Sequence, residues 1–378
     1  MFGNSIINWT CKQCDRKVPM RPSEFPIHCS CGYIGYFAEI DLTQIKPIYL
    51  DHNNRNIDLL YIMNHETNPK WVSKKDNMIT LFNNEIKCEF IETYKDISNV
   101  IYTIETKKPL LVINNALLID VYTMEILTKQ YPTVKFLSMN HSSQADLSKV
   151  TFWIACQNQH ISCMLKYPNY YYGVPDERNI IKQILEHERL VTLLNPVLIE
   201  DRYIYKELPP KPTLSLICRW DALKNIQNQI LACCLVNKIR PIRLLYCLHG
   251  SSIDLIKDIH RILPLEYCII PWGDYANYIT IIQKEVDIGL QVSFTESFNY
   301  VTIEHMACSK PVVGSSAIRF LPEKWQANAD DFSDIARIIL EILDDYENNT
   351  KLAYSIAKST SINNNRHFIE TIKGLLNG

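Results

Sequence analysis

Apolar residues in this chain come in short runs separated by amphipathic stretches, beginning after the polar segment 51–55. Strand–helix–strand alternation of this kind is typical of a parallel α/β sheet with right-handed crossovers. In the first half, strands are predicted at Ile57–Met63, Pro109–Asn114, Val134–Met139 and Phe152–Ala155, with a helix over Leu117–Gln130.

The alternation stops at Leu194–Val197 and near the proline-dense segment 208–212, then starts again, which predicts an interdomain hinge there. In the second half, strands are predicted at Thr213–Cys218, Arg243–Cys247, Tyr267–Ile270, Asp287–Leu290 and Pro311–Val313, and late helices at Ile335–Leu343 and Ser355–Leu376. The pattern therefore predicts two doubly wound domains, residues 46–200 and 201–378, that face a cleft lined by strand carboxyl ends. The last helix can cross back to the first domain.

Composition narrows the class of protein. The 378 residues include 39 basic and 41 acidic side chains, so no net field draws the chain onto nucleic acid or membrane. A hydrophobic content of 47% indicates a globular protein. Neither a membrane span nor a signal-peptide pattern is apparent, so we expect a cytoplasmic protein, a monomer or weak dimer. Nine of the 13 cysteines lie in apolar stretches, as reduced core cysteines do.

The other four cysteines cluster near the N-terminus as two close pairs, Cys11 with Cys14 and Cys29 with Cys31. Two thiolate pairs, each on a tight turn, predict a tetrahedral structural Zn²⁺ site in a zinc ribbon over residues 1–45. Two disulfides are the alternative, which the missing secretion signal disfavours. A segment this short builds only a small hydrophobic core, so it needs a stabilising cross-link such as a bound metal. Its role stays open between nucleic-acid contact and packing or protein docking.

The segment from Glu296 to Gly314 carries the most informative motif. It reads Glu-Ser-Phe-Asn-Tyr-Val-Thr-Ile-Glu and continues His-Met-Ala-Cys-Ser-Lys-Pro-Val-Val-Gly. The pattern places Glu296 in a loop and Glu304 on a helix, with a strand after it. On spacing alone, two such glutamates are also common on an ordinary surface.

With its flanking residues, this segment resembles the E-x7-E signature of glycosyltransferase family 4, which groups retaining enzymes with a GT-B fold. The family pattern reads roughly Glu-[Ser/Pro]-Phe-Gly-x4-Glu-Ala-Met-Ala-x-Gly-x-Pro-Val-Val. The resemblance extends over roughly residues 55–376. It implies an α/β GT-B fold with two Rossmann-like domains, a nucleotide-diphosphate sugar donor and no catalytic divalent metal. Two glycines of the pattern are replaced by Asn299 and Ser309, and Asn tolerates a left-handed backbone.

The resemblance also implies roles for individual residues. Arg219 and Lys224 look like the family's Gly-Arg-Leu-x-x-x-Lys-Gly element, whose cations contact the diphosphate; fixed donors there stabilise the charge that develops as the sugar leaves. Glu304 matches the ribose-binding carboxylate and Glu296 the one that orients the sugar. The implied donor-binding residues are Arg219, Lys224, Ser297, Phe298, Asn299, Tyr300, Val301 and Glu304. His141, after a predicted strand, is assigned to substrate orientation, with a plain core or surface histidine as the alternative.

These features predict a metal-independent, retaining glycosyltransferase that uses a nucleotide-diphosphate sugar and acts on a macromolecular acceptor. A hydroxylated nucleic-acid base, a protein and a glycan stay open as acceptors, and the near-neutral charge stands against nucleic acid. The rival from another class is a catalytically degenerate GT-B scaffold whose ribbon and cleft bind nucleic acid or protein without turnover. Nucleotide binding discriminates between the two.

Overall fold

The computed structural model describes the chain except residues 1–6, 11–16, 21–26, 29–33, 36–44, 64–74, 84, 92–96, 118, 141–150, 176–179, 200–202, 204, 250–252, 264, 272 and 274. The chain divides into two compact units. Unit 1 comprises Met1–Asn195 with Arg366–Gly378, and unit 2 comprises Pro196–Asn365.

The N-terminal segment of unit 1 contains two antiparallel strand pairs. Strand β1 (Ile7–Thr10) pairs with β2 (Lys17–Met20), and β3 (Ile27–His28) pairs with β4 (Ile34–Gly35). The predicted zinc ligands Cys11, Cys14, Cys29 and Cys31 lie outside the described residues, so the zinc ribbon stays a prediction. Within the described part of the chain, no group of three or more His, Cys, Asp or Glu side chains could hold a metal ion.

The rest of unit 1 is built on an all-parallel sheet. Its strands are β5 (Leu59–Ile62), β6 (Cys88–Ile91), β7 (Leu111–Asn114), β8 (Lys135–Met139), β9 (Tyr170–Val174) and β10 (Leu190–Thr192). The strands lie in the order β10-β9-β8-β7-β5-β6. The accompanying helices are α1 (Lys75–Phe82), α2 (Ile97–Lys107), α3 (Val121–Gln130), α4 (Thr151–Lys166) and α5 (Ile180–Ile184). Consecutive buried residues such as Leu59 and Leu60 show that the sheet is covered on both faces.

One prediction for unit 1 is wrong: Phe152–Ala155 is not a strand but part of helix α4. A short apolar run is compatible with either structure, and only its continuation decides. Here the buried positions His160, Cys163 and Met164 follow at helical spacing on the same element. The sheet instead contains β6, β9 and β10, which the sequence pattern did not reveal.

Unit 2 contains a second all-parallel sheet, and its strands are where the apolar runs predicted them. They are β11 (Thr213–Arg219), β12 (Arg243–His249), β13 (Glu266–Ile269), β14 (Ile288–Gln291) and β15 (Val312–Gly314). The order is β13-β12-β11-β14-β15. The helices are α6 (Ile226–Ile239), α7 (Ile253–Ile262), α8 (Tyr275–Glu285), α9 (Tyr300–Ala307) and α10 (Phe332–Asp344).

Side chains that alternate along β11 pack on opposite faces of this sheet. Leu214 and Leu216 contribute to one core, which includes residues of α6 and α10, whereas Ile217 contributes to another with Ile282 of α8. The sheet is therefore doubly wound, as predicted. A long helix, α11 (Tyr346–Asn377), closes the chain, and its residues from Arg366 onward belong to unit 1. Among the helices that the structure describes, none has the length and apolarity needed to cross a membrane.

Candidate functional site

The candidate site lies at the topological switch point of the unit 2 sheet. From β11 the chain continues outward through β12 and β13, then crosses to β14 on the other side of β11. Strands β11 and β14 are parallel neighbours, with Leu214 opposite Ile288. The loops at their carboxyl ends therefore diverge to opposite sides of the sheet and leave a crevice, where open α/β sheets bind ligands.

Direct hydrogen bonds join these two loops. The loop after β11 contains a short 3-10 helix, Ala222–Lys224, and the Leu223 carbonyl accepts from the Phe294 N–H at 2.9 Å. The buried Gln229 side chain of α6 links the loops a second time. Its Nε2 donates to the Lys224 carbonyl at 2.7 Å, and its Oε1 accepts from the Val292 N–H at 2.9 Å. The two loops are thus held in fixed register.

An ion pair between Lys224 and Glu296 is the centre of the site. Lys224 Nζ lies 2.5 Å from Glu296 Oε1, and the side chains are only 17% and 8% exposed. A charge-assisted hydrogen bond with so little solvent contact is stronger than an ordinary surface ion pair. Lys224 Nζ carries three N–H donors, so this contact leaves donors for an anionic ligand.

Arg219 and Cys218 stand at the end of β11 beside this pair. Arg219 is exposed, and within the described residues no side chain pairs with it, which leaves its guanidinium available to an anion. The neighbouring thiol is unsuited to nucleophilic attack. Burial, opposed by Lys224 and reinforced by Glu296, raises the pKa of Cys218 to about 12 and keeps it protonated at neutral pH.

Asn299 connects the carboxylate loop to helix α9. It is the N-cap residue of the helix, with φ 66° and ψ 79°, and its Oδ1 accepts from the Thr302 N–H at 2.9 Å. Its Nδ2 donates to Glu296 Oε1 at 3.0 Å and to Gln291 Oε1 at 3.1 Å. Glu296 is therefore held by Lys224 on one side and by the helix cap on the other.

Helix α9 presents its N-terminus next to Glu296. The first amides of a helix carry partial positive charge and bind anions, and these belong to residues the sequence assigned to donor binding. Phe298 packs edge-on against Tyr300 at a ring distance of 5.0 Å, which fixes the approach to the helix. Glu304, one turn into the helix, is 9% exposed and engaged in contacts within the fold.

His305 anchors this helix to the sheet. Its Nδ1 lies 2.7 Å from the Val301 carbonyl, so Nδ1 carries the proton, and Nε2 accepts from the Ser215 hydroxyl of β11 at 2.8 Å. The ring is fully buried, which lowers the pKa of His305 to about 4. It packs where Gly289 of β14 lacks a side chain: a Cβ there would lie 2.8 Å from His305 Cδ2.

The structure brings Lys224, Glu296 and Asn299 into direct contact, with Arg219 at the neighbouring strand end. His141 lies outside the described residues, and its role stays a prediction. Gln229, Gln291 and His305 organise the site, but no sequence pattern pointed to them. Their partners are distant in the chain or are backbone groups, and no residue pattern encodes such pairs.

The chain has two all-parallel α/β sheets in separate units, which is consistent with a fold of two Rossmann-like domains. No protein-family model matches the chain, and no curated protein sequence matches it. Several solved structures are similar to the chain. HepE of Anabaena, in complex with UDP and glucose, is similar with 14% identity and a TM-score of 0.61 over 84% of this chain and 100% of that chain.

Two further structures are similar at the level of fold. Sucrose-phosphate synthase from Thermosynechococcus elongatus has 14% identity, covers 84% of this chain and 96% of its own, and has a TM-score of 0.55. An E. coli structure of trehalose-6-phosphate bound with UDP-2-fluoro glucose has 11% identity, 85% and 99% coverage, and a TM-score of 0.59. These neighbours are GT-B glycosyltransferases, and at such identities the likeness shows a shared fold.

Proposed function

We propose that this protein is a retaining glycosyltransferase that transfers a sugar from a nucleotide-diphosphate sugar without a catalytic divalent metal. The observation that carries the proposal is the Lys224–Glu296 ion pair, at 2.5 Å, at the switch point of a parallel sheet. At the same edge of the sheet lie a helix N-terminus and Arg219, which pairs with no side chain of the described residues. Cations for a diphosphate and a carboxylate for sugar hydroxyls are what such a donor requires. Structural neighbours solved with UDP or UDP-2-fluoro glucose support a donor of this class.

In the proposed reaction, the bond between the sugar's anomeric carbon and the diphosphate oxygen breaks, and the oxygen keeps the electron pair. Arg219 and Lys224 stabilise the charge that develops on this oxygen, and Lys224 is already held in place by Glu296, so it needs little reorganisation. Glu296 accepts hydrogen bonds from hydroxyls of the transferred sugar, and Glu304 from the ribose. An acceptor hydroxyl adds to the same face of the anomeric carbon, and its proton passes to the departing diphosphate.

Several parts of the proposal rest on sequence alone. His141 orients the sugar and acceptor from the first domain, and the four N-terminal cysteines hold a structural Zn²⁺. The domain plan is a ribbon over 1–45 followed by Rossmann-like domains over 46–200 and 201–378. We further propose a cytoplasmic monomer or weak dimer. Its acceptor is a macromolecule: a protein, a glycan or a hydroxylated nucleic-acid base.

Thermal-shift titration with UDP, GDP and ADP tests the donor site. At a concentration of about 100 Kd, a nucleotide that binds only the folded state stabilises it by about 2.7 kcal/mol. For a unit of this size, that corresponds to a rise of about 5–10 °C in Tm. The zinc content of the purified protein, measured by mass spectrometry, tests the ribbon separately.

The matched variants are Lys224→Ala and Lys351→Ala. Lys351 also pairs with a glutamate, Glu347, at 2.6 Å, but both side chains are more than half exposed and far from the crevice in sequence. Lys224→Ala should abolish the nucleotide-dependent shift, whereas Lys351→Ala should keep it. If none of the three nucleotides raises the Tm of the unmodified protein, the donor site does not exist and a binding module is favoured.

A further inference from the structure

Glu296 is held in an asymmetric way. Both of its donors, Lys224 Nζ at 2.5 Å and Asn299 Nδ2 at 3.0 Å, bond to the same carboxylate oxygen, Oε1. No described residue donates to Oε2. This oxygen is also not a fully buried polar atom that lacks a partner, so a ligand can reach it. One oxygen thus fixes the carboxylate while the other stays available to a ligand.

The side-chain amide of Asn299 uses its oxygen and both of its N–H groups in hydrogen bonds within the protein. Its Oδ1 accepts from the Thr302 N–H, so the amide cannot be flipped without losing the helix cap. Of its two Nδ2 protons, one goes to Glu296 Oε1 and the other to Gln291 Oε1 at 3.1 Å. Gln291 is anchored in turn, because its Nε2 donates to the Ile217 carbonyl of β11 at 2.9 Å. A continuous chain of hydrogen bonds therefore links Glu296 to the middle of the sheet.

The residue type at position 299 follows from two requirements. A φ of 66° is tolerated by few residues, chiefly glycine and, among those with side chains, Asn and Asp. Glycine fits the backbone but has no side chain to reach Glu296. Aspartate fits and caps the helix but has no N–H to donate. Only asparagine meets the backbone requirement, caps α9 and donates to the carboxylate.

We propose that Asn299 is a positioning residue that fixes Glu296 through Oε1 and directs Oε2 toward the hydroxyls of the donor sugar. This inference rests on the proposed function, and it adds a role for a side chain at a position where the family signature has glycine. The Asn299 side chain is used in contacts with Glu296, Gln291 and the helix cap, so we expect its loss to impair turnover more than nucleotide affinity. A residue that only capped the helix would not separate the two quantities.

The test compares Asn299→Asp with the unmodified protein and with Asn83→Gly. Asparagine and aspartate are nearly isosteric, and the aspartate oxygen can still cap α9, so the substitution replaces the donor by a second carboxylate oxygen beside Glu296 without changing the size of the side chain. Asn83 is another left-handed asparagine, with φ 43° at the end of helix α1 in unit 1, and it controls for a change of this residue type. Activity is the release of nucleoside diphosphate from UDP-, ADP- or GDP-glucose, and affinity is the Kd for the nucleotide by calorimetry.

Asn299→Asp should lower kcat by roughly a hundredfold, the cost of a misplaced group in an active site, with the nucleotide Kd changed less than about threefold. Asn83→Gly should match the unmodified protein in both. If Asn299→Asp has unchanged kcat, or if Kd weakens as much as kcat falls, the positioning role is wrong. An unmodified protein that releases no nucleotide refutes the proposed function and not the contact.

Stability tests the contact without any turnover. Asn299→Asp puts two carboxylates side by side and should lower Tm. Adding Glu296→Gln exchanges donor and acceptor, because the Gln amide can donate to the Asp carboxylate, so the double variant should recover at least half of that loss. The inference would be overturned if the Tm loss of the double variant equals the sum of the losses of the two single variants. Such additivity would show that the two side chains do not interact.

Discussion

Gly289→Ala tests whether His305 holds helix α9 on the sheet. The added Cβ would lie 2.8 Å from His305 Cδ2 and 3.0 Å from Val312 Cγ2, so either the ring or the strand has to move. Overpacking of this kind costs about 1–3 kcal/mol. If the ring moves, the Ser215 hydroxyl or the Val301 carbonyl loses a buried partner, for about 1–3 kcal/mol more. We expect a total loss of about 2–6 kcal/mol.

For a unit of this size, such a loss lowers Tm by about 4–24 °C, measured by differential scanning calorimetry. Gly374→Ala is the control, since a Cβ there meets nothing within 4 Å and lies in helix α11, where alanine is favoured by about 0.5–1 kcal/mol. Because α9 carries Glu304 and the amides of the anion site, Gly289→Ala should also weaken nucleotide binding. A Tm within about 1 °C of the unmodified protein would refute the role assigned to His305.

Three further predictions concern two buried histidines, the Gln229 side chain and the Glu304 carboxylate. Burial lowers the pKa of His160 and of His305 to about 4, below the ordinary 6.5, so both are neutral when folded. Each therefore contributes stability that is complete above pH 6.5 and is lost as pH falls toward 4, at about 1.4 kcal/mol per pH unit; equal urea midpoints at pH 7 and pH 5 would contradict this. Gln229→Ala should lower stability by about 1–3 kcal/mol by leaving the Lys224 carbonyl and the Val292 N–H without their Gln229 partner, and an unchanged urea midpoint would count against the linkage. Glu304→Gln should weaken nucleotide binding about tenfold in calorimetry, a loss of about 1.4 kcal/mol, and equal affinity would exclude a ribose contact.

The sequence predicted unit 2 better than unit 1 for a physical reason. Apart from the half-buried strand β13, each unit 2 strand is a nearly continuous apolar run, which is typical of a strand buried on both faces. In unit 1, the strand Tyr170–Val174 is rich in tyrosine, and the run at Phe152–Ala155 proved to be the first turns of a longer helix. Local apolarity cannot separate these cases when the deciding residues lie a turn or more away.

The site followed the same division. Glu296, Glu304, Arg219 and Lys224 were predicted as site residues because their spacing resembles a known signature, and their roles stay predictions. The ion pair between Lys224 and Glu296 was not, because it depends on β11 and β14 becoming neighbours, which is a property of the sheet order. Asn299 was recognised only as a tolerated replacement for glycine. That its amide also reaches Glu296 depends on a side-chain direction that the sequence does not specify.

Proton NMR of nucleotide-sugar turnover tests the central claim most directly. UDP-, ADP- and GDP-glucose, all α-linked, are incubated with the unmodified protein and with the Lys224→Ala and Glu296→Ala variants, with water as the acceptor. A retaining glycosyltransferase should release nucleoside diphosphate from at least one donor and form α-glucose first, and both variants should lose this activity while keeping a cooperative thermal transition. Release of β-glucose first would contradict retention. No release from any donor, or equal turnover in both variants, would contradict the assignment of this site.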